Sequence, residues 1–260
     1  MTSPVLTSAQ NPRVKAVVQL HQAKYREEQS LVLIEGYHAI EEAVKANISL
    51  KTIFCLEGKA SEIVLPISPE FVSESVMAKM STTTSACPIL AVAESPTVDS
   101  KQIFALQSKL IVGVIGLQDP GNLGTLIRSA AAFGASALVT IGPTVDPFHP
   151  KVIRSSAGIV FRLAVAQLDN ISKLRQAVSA HQELQIWGTD AHQGLSYRQA
   201  TYADNVLLLM GGEAEGLPPE IWEIAHPLNI PMVQEVESLN VGIAGSIVLA
   251  EIFNRSQRIE

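Results

Sequence analysis

Three apolar runs, Leu110 to Leu117, Ala137 to Ile141 and Val206 to Met210, constrain the fold of this chain more than any other feature. A strand with one face in water alternates apolar and polar residues. Runs without alternation belong to strands covered on both faces, as in parallel sheets flanked by helices. Parallel strands need crossover connections, and helices are expected at Leu123 to Phe133, Pro150 to Ala157, Asn170 to Ala180, Pro218 to Ala225 and Leu239 to Asn254. The expected fold is therefore α/β with a mostly parallel sheet over residues 109–260. With 260 residues and 47% apolar composition, the chain has material for more than one core.

A smaller α/β module is expected before this sheet, over residues 1–94. Leu31 to Ile34 reads as a strand, Tyr37 to Ala46 as a helix and Leu50 to Leu56 as a second strand. In the helix, Tyr37, Ile40, Ala43 and Val44 recur at three- and four-residue spacing while Glu41, Glu42 and Lys45 face away. Ser73 is placed to cap a further helix carrying Val76, Met77 and Met80, and Ile89 to Ala93 closes the module as a strand. Residues 95–108 turn polar and read as a linker.

Composition excludes several classes. Net charge is −6 with 17% charged residues, so a broadly basic nucleic-acid surface is absent from the totals and any RNA-binding face must be local. Cys55 and Cys87 are the only cysteines, which is no disulfide framework and no metal-ligand spacing, and a reducing cytoplasm suits them. The first thirty residues lack an apolar signal core, and Val241 to Phe253, the longest apolar stretch, is too short to cross a bilayer. Neither a metal nor a membrane is expected.

Three segments carry the chemistry. In Asp119-Pro120-Gly121-Asn122, Pro120 presets φ and Gly121 permits a sharp turn into the helix that bears Arg128 about two turns on. In Met210-Gly211-Gly212-Glu213-Ala214-Glu215-Gly216-Leu217, glycines at the end of a buried strand let a ligand lie against main-chain groups. The third runs from Ile230-Pro231-Met232 to Ser238-Leu239-Asn240, where Ser238 or Asn240 can satisfy the free amides of the last helix. Gly242 and Gly245 in that helix imply close packing, within or between subunits. Each segment alone is also an ordinary strand-turn-helix corner. No GxGxxG is present, and a nicotinamide site is poorly supported.

Taken together and in this order, the segments resemble the motifs of the SpoU-TrmH branch of the SPOUT superfamily, RNA 2'-O-ribose methyltransferases, over roughly residues 109–256. Lys151 to Gly158 resembles the stretch between that family's first and second motifs. Thr7 to Lys15 and Leu33-Ile34-Glu35-Gly36 resemble, less specifically, an L30e-like RNA-binding module. The resemblance implies a trefoil knot, a homodimer, a cytoplasmic enzyme and S-adenosylmethionine as cofactor, held by Gly211, Glu213, Ile230, Met232, Ser238 and Leu239. It implies Arg128 as the catalytic arginine, with Asn122 and Glu213 orienting it and the loop, and Asn240 holding the constellation. Arg13, Lys15, Lys24, Arg26 and Arg154 are the expected RNA-binding residues. Glycine at 242 and 212 departs from the serine or asparagine common in relatives, and at 212 implies a looser loop.

A guanidinium is always protonated and is a poor general base, so Arg128 is expected to grip a substrate phosphate and lower the hydroxyl's pKa, with that phosphate or water taking the proton. Structured ribosomal RNA is the expected substrate. Transfer RNA, and a non-catalytic RNA-binding or ribosome-assembly protein of the same fold, are the alternatives.

Overall fold

A computed structural model describes residues 5–57, 59, 65–85, 87–106, 109–213 and 215–257. The chain forms two compact units. One holds the residues through Pro96 together with Phe148–Arg162, and the other holds Thr97–Pro147 with Leu163–Glu260.

The first unit is built from α1 (Pro12–Gln19), α2 (Ala23–Gln29), β1 (Leu31–Glu35), α3 (Tyr37–Lys45), β2 (Leu50–Leu56), β3 (Glu70–Val72), α4 (Glu74–Met80) and β4 (Ile89–Glu94). Its sheet has the order β1-β4-β2-β3, antiparallel except for the β2–β3 pair. Val14, Val17 and Leu20 from the first helical turns meet Val76, Met77 and Met80 of α4 over Leu33, Phe54 and Leu90 of the sheet. Burying each such side chain is worth about 1.5–3 kcal/mol. Ser73 stands at the start of α4, but its hydroxyl pairs with Ser75 Oγ at 3.0 Å rather than with a helix amide.

Residues 148–162, assigned from the sequence to the C-terminal domain, belong to this first unit. The segment contains α7 (Pro150–Ser155) and a 3₁₀ turn over Ile159–Arg162. Three contacts fix it. Arg154 Nη1 donates to Glu35, whose side chain is 0% exposed, and to Thr82 Oγ1 at 2.7 Å. Thr82 also donates to Glu35 through its amide (2.6 Å) and hydroxyl (2.7 Å). Arg162 Nε reaches Glu42 at 2.5 Å and holds that carboxyl below the usual carboxylate range. Finally, Gly158, at φ +79°, lies where a Cβ would come within 2.8 Å of the Ala39 Cα.

The second unit follows the expected pattern. After α5 (Ser100–Phe104) come β5 (Leu110–Ile115), α6 (Pro120–Ala132), β6 (Ala137–Ile141), β7 (Ala164–Leu168) and α8 (Ile171–Val178). The chain continues through β8 (Gln185–Thr189), β9 (Leu195–Ser196), β10 (Val206–Gly211), β11 (His226–Asn229) and α9 (Val241–Ser256). A 3₁₀ turn at Pro219–Glu223 replaces the helix expected there, because two prolines open the segment. Strand order is β7-β6-β5-β10-β8-β11-β9, and every recorded pairing among the described residues is parallel. The sequence reading placed no strand at β7, β8, β9 or β11.

The stretch read as a linker holds α5, whose Ile103 and Phe104 are buried in the core of this unit against the α8 side of the sheet. Lys109 is also buried and donates from Nζ to the Phe104 carbonyl at the end of α5, and burial pushes its pKa down. The last two linker residues, 107 and 108, lie outside the described residues.

On the opposite face, α6 packs along α9. Gly245 sits where a Cβ would come within 2.4 Å of Leu126 Cδ1 and 3.4 Å of Met210 Cε, and Gly242 where one would be 3.2 Å from the Asn122 carbonyl. The close contact implied by these two glycines is therefore made within the chain. Phe133 and Phe253 close the far end, ring centroids 6.1 Å apart.

Two stability outcomes follow from these contacts. Gly245→Val forces a branched side chain into Leu126 and Met210 and should cost about 1–3 kcal/mol in a denaturant melt. Arg154→Ala strands the buried Glu35 carboxylate and should cost about 3–5 kcal/mol, whereas the double variant Arg154→Met/Glu35→Gln should recover part of the loss in the same melt.

Candidate active site

In the second unit the chain runs outward from β5 to β6 and β7, then crosses back to build β8 and the inserted β10 on the other side. The order of strands therefore reverses at β5 and β10. Open parallel sheets bind ligands beyond the strand C-termini at such a reversal. The segment Gly116–Asp119 leaves β5 there, the Gly-rich loop leaves β10 there, and Thr189-Asp190 leaves β8 there.

Asp119 begins α6. Its Oδ1 accepts from the Asn122 amide at 2.8 Å, so the cap is Asp119 and the side chain of Asn122 is released for other work. That side chain has two partners. Asn122 Nδ2 donates to Glu213 Oε1 at 2.5 Å, and Asn122 Oδ1 accepts from Asn240 Nδ2 at 2.8 Å. Asn240 is in turn the cap of α9, its Oδ1 accepting from the amides of Gly242 (2.9 Å) and Ile243 (3.2 Å). One residue from each of the three segments thus joins a single hydrogen-bonded chain. A second polar link between the helices is Ser129 Oγ to Ser246 Oγ at 2.6 Å.

The Gly-rich loop folds back on itself. Gly212 and Gly216 form an isolated bridge, and Gly216 takes φ +65°. A Cβ on Gly211 would lie 2.2 Å from the Gly216 carbonyl carbon, and one on Gly212 would lie 2.4 Å from the Gly116 oxygen. Glycine at 212 therefore does not loosen the loop; it lets the loop lie against the end of β5. Gly116 is itself held by the hydrogen bond that its N–H donates to Thr144 Oγ1 at 3.0 Å. Ala214 lies outside the described residues.

Between this loop, the end of β8 and the segment entering α9 is a cavity of about 510 Å³. Gly211, Glu213, Ile230, Met232, Ser238 and Leu239 all line it, with Met210, Val241 and Ala244 at its apolar side. Its lining combines the loop glycines, apolar side chains and polar side chains such as Ser238 and Asn240, a mixture suited to a nucleoside. Asn240 also lines it. The sequence reading missed Thr189, Asp190 and His192 on the opposite wall. Asp190 Oδ1 accepts from the amides of His192 and Gln193, both at 2.8 Å, an Asx turn that Asp-x-His-Gln after a short apolar run signals.

Arg128 lies outside this chain of bonds, on the exposed face of α6, and among the described residues its guanidinium has no hydrogen-bond or ion-pair partner. Asn122 spans Glu213 and Asn240 instead of reaching it. The residues expected to bind RNA divide. Lys15 is exposed on α1, Arg13 pairs with Glu70 at 2.5 Å and Lys24 stands 3.8 Å from Glu28, all at the surface. Arg26 is 4% exposed and donates to the carbonyls of Leu20 (2.8 Å) and His21 (3.0 Å) beyond α1, and Arg154 is the Glu35 partner described above. Among the described residues no group of carboxylates, cysteines and histidines could hold a metal ion, and no helix is long and apolar enough to cross a membrane.

Comparison with known proteins agrees with this geometry. Residues 109–250 match the SpoU rRNA Methylase family, and residues 11–91 match the MRM3-like substrate binding domain. The chain belongs to the SpoU rRNA methylase family. It is 33% identical to an uncharacterized tRNA/rRNA methyltransferase of Synechocystis sp., over 95% of this chain and 92% of that one. It is 30% identical to the 23S rRNA (guanosine(2553)-2'-O)-methyltransferase RlmP of Bacillus subtilis, over 94% and 97%. Among solved structures, the AdoMet-bound rRNA methyltransferase of Sinorhizobium meliloti superimposes with a TM-score of 0.84 at 29% identity, covering 98% of both chains. The SpoU methyltransferase AviRb of Streptomyces viridochromogenes with AdoMet gives 0.85 at 25% identity, covering 96% and 99%.

Asn240 serves two structures at once, and substitutions separate them. Asn240→Ala should lose the α9 cap and about 1 kcal/mol of stability, while Asn240→Asp keeps the cap acceptor and most of that stability, read by denaturant melts of the two variants.

Proposed function

We propose that this protein is an S-adenosylmethionine-dependent RNA 2'-O-ribose methyltransferase acting on ribosomal RNA. The observation that carries the reading is the Glu213–Asn122–Asn240 chain, which ties all three segments to the rim of one cavity at the strand reversal. The relatives named above as rRNA methyltransferases, and the neighbours solved with AdoMet, support it.

In this reading Gly211, Ile230, Met232 and Leu239 hold the cofactor, with backbone groups of the Gly-rich loop and of the segment entering α9 as its polar partners. At Gly216 nothing lies within 4 Å of where a Cβ would stand, which suits a ligand that must approach the main chain closely. When bound, the cofactor supplies a methyl group already activated on a sulfonium. Glu213 spends Oε1 on Asn122 and keeps its other oxygen for that positive charge or for the loop. Asn122 and Asn240 act as positioning residues, since each fixes a neighbour and a helix start at once. Arg128, exposed and unpaired among the described residues, grips a phosphate of the RNA and draws charge from the attacking hydroxyl. It does not serve as base, because it never gives up its proton at neutral pH. The phosphate or a water takes the hydroxyl proton. Lys15 and Arg13, at the surface of the N-terminal module, contribute phosphate contacts that position the RNA. A homodimer, a cytoplasmic setting and a knotted passage of the chain into α9 belong to the same reading.

The test is transfer of labelled methyl groups to ribosomal and transfer RNA fractions, mapped to the ribose oxygen. Wild type should label ribosomal RNA, and Arg128→Ala should lose activity by about 10²-fold or more while S-adenosylhomocysteine affinity, measured by calorimetry, stays unchanged. Equal activity in both proteins would remove Arg128 from the mechanism. Absence of S-adenosylhomocysteine binding would favour a non-catalytic RNA-binding protein.

A further inference from the structure

A second cavity of about 750 Å³ lies at the C-terminal ends of β5 and β6 and the start of α8, on the other side of the Gly-rich loop. Among the described residues the two cavities share only Gly212, Glu213, Glu215 and Gly216, so the loop is a partition between them. We propose that this second cavity receives the base of the nucleotide being methylated, turned out of the RNA. The inference rests on the reading of the first cavity as the methyl-donor site.

The reacting atoms must approach to about 3–3.5 Å, so the acceptor ribose has to sit at the partition, beside Glu213. A base attached to that ribose needs a place of its own, and the second cavity begins at the same residues. Its walls carry the two features a base requires. Ile171 and Pro218, both partly exposed, supply apolar surface for the ring faces. Two amides supply an edge. Gln118 Nε2 is committed to the Pro143 carbonyl at 2.6 Å, which leaves Gln118 Oε1 as an acceptor. Asn170 Oδ1 is committed to the Lys173 amide at 3.0 Å as the cap of α8, which leaves Asn170 Nδ2 as a donor. One acceptor and one donor beside that apolar surface match the edge of a nucleobase.

Charge argues for the base and against a phosphate. Asp169, Glu213, Glu215 and Glu220 line the cavity, and Arg175, the one cation among its described lining residues, is paired with Glu223. An anion would be repelled, whereas an uncharged base would not. The phosphates then stay outside, where Arg128 is exposed.

The test uses the full chain loaded with S-adenosylhomocysteine and ribosomal RNA carrying 4-thiouridine or 6-thioguanosine. After irradiation, the cross-linked peptides are mapped by mass spectrometry. Cross-links should fall on the segments around Gln118 and Asn170 and should disappear in Ile171→Trp, which fills the slot. Ile171→Trp should also raise the KM for RNA at least roughly 10-fold with S-adenosylhomocysteine affinity unchanged, which shows that the variant is folded. Asn170→Asp keeps the α8 cap, loses the donor, and should change the relative rates on RNAs differing in the target base. Cross-links confined to other segments, or wild-type kinetics in Ile171→Trp, overturn the inference even if methylation itself is observed. Absence of both methyl transfer and S-adenosylhomocysteine binding in the wild type would instead overturn the underlying reading, and this inference with it.

Discussion

The side chain of Asn122 is the point on which the catalytic unit turns. Its two ends are chemically different, a donor and an acceptor, and each is used once, for Glu213 on one side and Asn240 on the other. No carboxylate or hydroxyl of that length offers the same pair of opposed groups in one plane. The arrangement works because Asp119, and not Asn122, caps α6. Through this one amide the loop after β10, the start of α6 and the start of α9 are held in a common register. Such preorganisation is where an enzyme of this kind gains most, since groups already in place need not reorganise as charge develops.

Close approach of backbones is the second constraint. Gly211 and Gly212 permit the loop to fold on Gly216 and to lie against Gly116, while Gly242 and Gly245 let α9 descend onto α6 and Met210. These glycines weaken the elements that contain them when considered alone. A methyl group at Gly211 or Gly212 would collide with backbone and one at Gly245 with the buried Leu126, while one at Gly242 would be crowded at 3.2 Å. The cost is met by apolar burial of α6 and α9 on the sheet, in which Leu126, Ile127, Val248 and Leu249 are completely covered.

The first unit relies on a different device. The segment Phe148–Arg162 leaves the parallel unit after Pro147 and packs with the N-terminal sheet, anchored by a carboxylate with no exposed surface. Glu35 tolerates burial because Arg154 and both donors of Thr82 surround it. Arg26 is likewise buried on carbonyls. Neither cation is distinguishable in the sequence from Lys15 or Arg13, which lie at the surface, since a basic residue shows its charge but not its partner. The short strands escaped for related reasons. Leu195–Ser196 is too brief to show a period, and Pro227 inside His226–Asn229 argues against a strand when no pairing is known.

By itself the sequence determined the buried parallel strands, through unbroken apolar runs, and the local chemistry of the turns, through proline, glycine and capping side chains that act within a few residues. Through the family resemblance it also picked out Gly211, Glu213, Ile230, Met232, Ser238 and Leu239, which line one cavity, but not Thr189, Asp190 or His192 on its opposite wall. Only the tertiary structure decided that β10 enters between β5 and β8, that Asn122 joins Glu213 and Asn240 across separations of 91 and 118 residues, and that Arg128 stays outside that chain. The reason is physical. A period or a cap is a short-range preference repeated along the chain, whereas the partner of a hydrogen bond between distant segments depends on which strand termini the packed core brings together.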